Sequence, residues 1–277
     1  MAEELSFPRG TKKPAQSPLF WVQNKDRYLR QLLISDIQKV TGRDLLVYFS
    51  DCDRSDAQIE QTDDIYLSEL LRASTSKFID LLIETNGGFT DATEKVCSVI
   101  TSSGKDIRVI VPRRAKSNGT VITFCGGSIV MGLDSELGPI DPHLNGTPCD
   151  FIIRLQGIDA LVLMAAQAAV LQTKKLASQL LKANMLSAMN EGDIDALVQR
   201  LASRDQYYSH GSVIDASEAI RLGLNIELLQ PEDALWQQLW LLRTMYAYDC
   251  MMRGYSKVFE SVNVSSPIVM PRVNTAA

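Results

Sequence analysis

The sequence predicts an α/β domain of repeated βαβ units around a mostly parallel sheet, with a helical extension on its C-terminal side. Three observations predict it. Short apolar runs of strand character alternate with amphipathic stretches of about ten residues, the length of a crossover helix. The stretch "LIETNGGFTDATEKV" over 82–96 passes from a buried strand through two glycines straight into a helix start. The 277 residues are 45 % hydrophobic, enough for one large core, and show no internal repeat.

Residues 1–18 hold three prolines and scattered charge and read as a flexible arm. The α/β domain is expected over 19–229, and a C-terminal helix and tail over 230–277. Within the domain, 25–41 has helical period with Leu29, Leu32, Leu33 and Ile37 on one face, and 44–50 reads as a strand. A helix over 63–74 carries Ile65, Leu67, Leu70 and Leu71. Strands follow at 77–85, 107–112 and 128–132, separated by helices at 90–103 and 117–127. After Pro142 the pattern becomes one long helix over 158–183 and a shorter one over 193–204. Asp215 is placed to cap a short helix that Gly223 ends, ahead of a last strand reaching 229. The final helix, 231–253, spaces Leu235, Leu239, Leu242 and Tyr246 on one face, which suits an oligomer or partner interface; 261–277 has turn-like composition.

Composition narrows the function. A net charge of −5 and the lack of a long basic run argue against nucleic acid as the main partner. Five cysteines, odd in number and without CxxC spacing, fit reduced thiols in the cytoplasm rather than disulfides or a zinc site. Two histidines, His143 and His210, are too few for a His-rich metal centre, and neither metal nor cofactor is expected. The beginning of the chain has no apolar leader, and no run of about 18 apolar residues exists to cross a membrane.

Two segments carry chemistry. Gly87–Gly88 lets the backbone approach something closely just before a helix start, whose N–H groups are oriented donors. That something is either a packed turn or an oxyanion. In "VIVPRRAKSNGTVITF" (109–124) a strand ends at Pro112, and Ser117 sits where a helix begins. It is either a helix cap or an exposed nucleophile at a sharp strand-to-helix turn. In adjacent parallel βα units both helix starts reach one sheet edge, so N–H donors near Gly88 and Asn118 would face the Ser117 hydroxyl.

The ordered set "LLIETNGG", "IRVIVPRRAKSNGT", "SIVMGLDSELGPIDPHL" and "SHGSVIDASEAIRLGL" resembles the serine dehydrogenase proteinase family, across roughly 27–229. That family belongs to the Clp-fold serine peptidases, alongside signal peptide peptidase A and the Clp protease. The resemblance implies a Clp/crotonase-like fold, Ser117 as nucleophile, and Gly87–Gly88 as part of the oxyanion hole. It implies His143 as base, by its spacing after the serine, or else a lysine, for which Lys174 and Lys175 are nearest. His210 is a further family-like position, which would pack beneath the site, orient a partner or simply close a loop. Asp205 or Asp141 would be the orienting carboxylate. The function so implied is a serine endopeptidase acting on peptides or unfolded proteins from within a homo-oligomer. Two other functions fit the same fold. One is a silent assembly protein that binds extended peptide without cutting it. The other is a crotonase-type acyl-CoA enzyme, which would need a glutamate near the hole, with Glu84 and Glu94 the nearest.

Overall fold

The computed structural model describes residues 17–269. Helix α1 (Pro18–Gln23) starts at Ser17, whose hydroxyl accepts from the Phe20 amide at 3.2 Å, and Pro18 pre-sets the first helical φ. The arm expected over 1–18 therefore gives way to helix by residue 18, and its first sixteen residues lie outside the described ones. Helix α2 (Lys25–Thr41) ends at Gly42, whose φ of 68° is the left-handed cap that glycine adopts without penalty. There follow β1 (Asp44–Ser50), α3 (Asp63–Ala73), β2 (Phe78–Glu84), α4 (Thr90–Ser102), β3 (Asp106–Val111), β4 (Arg114–Ala115), α5 (Asn118–Thr123) and β5 (Ile129–Met131). All but the two-residue β4 were expected from the sequence, with ends shifted by a few residues.

The middle of the chain adds short pieces that periodicity does not reveal: β6 (Glu136–Leu137), the hairpin β7 (His143–Leu144) and β8 (Thr147–Pro148), and α6 (Cys149–Arg154). Next comes the long α7 (Ala160–Ala183), which Asp159 caps by accepting from the amides of Leu161 and Val162. Then come α8 (Glu191–Leu201), β9 (Ile214–Asp215), α9 (Ala216–Arg221) and β10 (Ile226–Leu228). Asp215 caps α9 through the Glu218 amide at 2.8 Å, as its position predicts. The chain continues as α10 (Ala234–Arg253), β11 (Tyr255–Glu260) and β12 (Ser265–Val269).

The main sheet has the order β10-β5-β3-β2-β1-β11-β12. Its first five strands are parallel, and β11 and β12 add antiparallel neighbours beyond β1. Side chains alternate between two helical layers. Leu45, Val47, Phe49, Leu82, Ile110 and Val130 pack with Ile34 and Ile37 of α2 and with Trp236, Leu239, Leu242 and Tyr246 of α10. Leu46, Tyr48, Leu81, Ile83, Val109 and Val111 face α3, α4, α5, α7 and α8 through Leu67, Val96, Val121, Leu180 and Leu197.

The C-terminal extension is thus not a separate appendage. The inner face of α10 is core, and β11–β12 widen the sheet. Gly132, at the end of β5, has room for no side chain because the Trp236 indole lies against it. The strand β11 also buries Lys257, whose ammonium donates to Asp63 and Glu60 at 2.8 Å each, while the Tyr48 hydroxyl donates to Asp63 at 2.5 Å. A second buried network joins Arg30 of α2 to Asp249 of α10 and Glu260 of β11, with the Tyr246 hydroxyl donating to Glu260. No helix among the described residues is long and apolar enough to cross a membrane.

Candidate active site

The neighbouring parallel strands β2 and β3 deliver their following segments to one edge of the sheet. There the two segments are tied directly: the Thr85 amide donates to Arg114 O at 3.1 Å, and the Lys116 amide to Thr85 O at 3.0 Å. This register sets Gly87 against Ser117. Gly87 has φ 98°, and a Cβ built on it would lie 2.7 Å from Ser117 Cβ and 2.8 Å from Lys116 O. Gly88 is held on its other side by Ile59, whose amide donates to Gly87 O at 2.9 Å and whose carbonyl accepts from Phe89 at 3.0 Å. Both glycines are therefore required by backbone packing.

The same pairing aims a donor. In a parallel bridge the flanking residues 87 and 89 bond to Ile59, so the N–H and C=O of Gly88 itself point to the opposite side. The Gly88 carbonyl accepts from Asn118 Nδ2 at 2.6 Å, which puts the Gly88 N–H on the side of α5. Asn118 is the first residue of α5, so its backbone N–H is one of the helix-start donors without an intrahelical acceptor. Between them stands Ser117, at φ 54° and ψ −124°. Only Ser117 and Asn145 are non-glycine residues with positive φ among those described. Its side chain makes no capping bond to the helix, so the capping alternative fails. A strained serine at a strand-to-helix turn is the conformation that presents a hydroxyl outward.

Across the cavity, Asp141 is 2 % exposed and gathers three cations or potential cations. His210 Nδ1 lies 2.7 Å from Asp141 Oδ1, and Arg204 Nε and His143 Nε2 lie 2.7 Å and 3.0 Å from Oδ2. Burial pushes the Asp141 carboxyl up, but the bond and charge of His210, with Arg204 and His143, hold it below its ordinary value, so it is ionised at neutral pH. Burial and the charge of His210 hold the His143 imidazole below its ordinary value despite Asp141. The two rings lie 4.3 Å apart. They differ in what the nitrogen bound to Asp141 also meets. An Nδ1–H donated by His210 to Asp141 leaves Nε2 as a base. His143 Nε2 is wedged between Asp141 and the Arg204 guanidinium, 3.0 Å away, and neither tautomer satisfies a pure acceptor and a pure donor at once.

Ser117, Gly87, Gly88, Asn118, His143 and His210 all line one cavity of about 360 Å³, together with Asp141. Other residues singled out in the sequence lie elsewhere. Asp205 is on the surface, bound by Arg154 at 2.8 Å through both oxygens, and cannot orient a histidine. Lys174 donates to Gln199 at 2.5 Å on the outer side of α7, and Lys175 is exposed. Glu84 is buried but clamped by Arg243 and faces a separate cavity; Glu94 accepts from Gln172 at the surface. Neither glutamate that the acyl-CoA alternative would use lines the Ser117 cavity. Cys52 lines the Ser117 cavity, but burial pushes its thiol well above the ordinary range, which disqualifies it as a competing nucleophile. Arg204 gave no sequence signal, because an arginine in a helix-ending loop is ordinarily solvated. Asp141, His143 and His210 bring potential ligand atoms within 4.8 Å of one another, yet the fixed charge of Arg204 on the same atoms opposes a cation there.

The chain is similar to several known proteins. Residues 57–258 match the profile of a family described as ClpP-like SDH-type serine proteinase. An uncharacterized protein of Methanocaldococcus jannaschii is 28 % identical over 205 residues, covering 71 % of this chain and 68 % of its own. A second from the same organism is 32 % identical over 75 residues, 27 % of this chain and 26 % of that one. Among solved structures, a mutant ClpP1 from Listeria monocytogenes is similar at 14 % identity and a TM-score of 0.46, covering 72 % of this chain and 98 % of the other.

Proposed function

The chain belongs to the ClpP-like SDH-type serine proteinase family, and from that premise we propose that it is a serine endopeptidase in which Ser117, His210 and Asp141 act as the triad. Ser117 Oγ attacks the peptide carbonyl carbon while His210 Nε2 takes its proton. Asp141 Oδ1 accepts the His210 Nδ1–H, fixes the tautomer and steadies the imidazolium. The negative oxygen of the tetrahedral intermediate is received by the N–H groups of Gly88 and Asn118. Collapse expels the amine, which takes the proton back from His210, and water then releases the acyl group by the same relay.

The observation that carries this reading is the pairing, within one cavity, of the positive-φ Ser117 with a histidine whose Nδ1 is already held by a buried carboxylate. The Arg204 guanidinium against His143 Nε2 opposes a positive charge on that ring and so favours His210 as the base, and Arg204 also holds Asp141 in place. Self-assembly fits the exposed apolar side chains Leu161, Met164 and Leu171 along α7. The cytoplasmic placement rests on the five free thiols, four of them buried.

The test is a fluorophosphonate probe applied to the wild type and to Ser117→Ala. Labelling of the first alone is expected. Labelling of both, or of neither, overturns the nucleophile assignment. Light scattering on the same samples tests assembly, and a monomer at micromolar concentration would refute it.

A further inference from the structure

One wall of the Ser117 cavity carries hydrogen-bonding groups that the peptidase mechanism does not use. Thr173 of α7 lines it, is 2 % exposed, and has a buried hydroxyl oxygen without a hydrogen-bond partner. A threonine in a helix ordinarily turns its hydroxyl to the carbonyl four residues back, and this one does not. Its position is secured by its neighbour: Gln172 donates to Asp91 at 2.9 Å and to Glu94 at 3.0 Å, pinning this turn of α7 to the first turn of α4. The first residue of α4 is Thr90, which also lines the cavity; its Oγ1 accepts from Asn118 Nδ2 at 3.2 Å and keeps its own proton to give. Asn118 directs its Nδ2 to Gly88 O and Thr90, which leaves its Oδ1 as an acceptor. This wall begins one residue from the nucleophile.

The wall therefore offers two hydroxyl donors and one amide acceptor, and no formal charge. The charged residues of the cavity stand elsewhere, on the 51–54 loop and around Asp141. A carboxylate or an ammonium would find its counter-charge on those other segments and not on this wall. A purely apolar group would leave the Thr173 hydroxyl unmatched. A side-chain carboxamide supplies both an oxygen to accept and an N–H to donate.

We infer that the cavity beside Ser117 takes an asparagine or glutamine side chain immediately before the scissile bond, and that Thr173 is the specificity-determining residue. This inference rests on the peptidase reading for its register relative to the cut, but the pocket chemistry is testable without cleavage.

The experiment compares two otherwise identical quenched-fluorescence peptides, with glutamine or norleucine before the cut, on wild type, Thr173→Val and Thr173→Ser. The wild type is expected to favour glutamine in kcat/KM, and Thr173→Val to lower that ratio about tenfold, the size of one buried hydrogen bond. Thr173→Ser, which keeps the hydroxyl, retains the ratio. Binding of the same peptides to Ser117→Ala, with and without Thr173→Val, is followed by fluorescence polarisation. Cleavage that favours norleucine, or a ratio unmoved by Thr173→Val, overturns the inference and leaves the peptidase standing. Absence of cleavage, with Thr173-dependent preference for glutamine in binding, overturns the peptidase and upholds the pocket. Binding without preference overturns the inference.

Discussion

Replacing Gly87 by alanine tests the coupling between the glycine turn and Ser117. The new Cβ would sit 2.7 Å from Ser117 Cβ, 2.8 Å from Lys116 O and 3.1 Å from Asn118 N. None of these is the tip of a flexible side chain, and Lys116 is tied to Thr85 by a 3.0 Å bond, so relief requires the backbone to shift. The φ of 98° adds a conformational cost. A left-handed φ costs an alanine about 1–2 kcal/mol and overpacking costs about 1–3 kcal/mol, giving a total of roughly 2–5 kcal/mol. At roughly 2–4 °C per kcal/mol for a chain of this size, the melting temperature should fall by about 4–20 °C. The same shift moves Ser117 and the Asn118 N–H, and a displacement near 1 Å costs about a hundredfold in rate. Calorimetry and the rate of fluorophosphonate incorporation read the two effects. A Gly87→Ala protein with the wild-type melting temperature and labelling rate would refute the argument that these glycines exist for close approach to the serine segment.

Three further outcomes are expected. His210→Ala should slow labelling of Ser117 about 10²–10⁴-fold and His143→Ala by under about tenfold; the reverse order would transfer the base role back to His143. The folded Asp141 carboxyl lies below its ordinary 3.8, so its contribution to stability is complete above that value and is lost as pH falls through the lowered one. Urea titrations from pH 2 to 6 should accordingly show the gap between wild type and Asp141→Asn closing only at the acid end, and a gap independent of pH would refute the sign. Lys257→Met leaves Asp63 buried without its counter-charge, and should cost about 3–5 kcal/mol in urea unfolding, much of it recovered by adding Asp63→Asn; no recovery would show that packing rather than charge holds Lys257.

Much of the parallel half of the fold was legible because buried strands and amphipathic helices announce themselves by period, and because Gly223 marks a helix end by a conformation other residues avoid. The strand–Gly–Gly–helix and strand–Ser–helix pieces were legible for a related reason: both are local. The antiparallel β11 was not, since "YSKVFE" carries a lysine where an inward position should be apolar, and only Asp63 and Glu60, 194 and 197 residues earlier, make that burial tolerable. The relay was half legible. Asp141 could be matched to His143 two residues away, whereas its bond to His210 spans 69 residues and its bond to Arg204 has no local mark. Asp205 was misplaced for the same reason, its partner Arg154 lying 51 residues off.

The buried Lys257 has a consequence for when the site comes into being. Ile59 clamps Gly88, Glu60 follows it, and among the described residues the counter-charge of Glu60 and Asp63 is Lys257 of β11. Synthesis runs from the other direction. A ribosome that has extruded Ser117 has not yet made His210, and one that has made His210 has not yet made the counter-charge that lets the Gly88 clamp bury itself. Pairings of such long sequence separation close last. A growing chain therefore carries Ser117 without a finished cradle around it until β11 has been made.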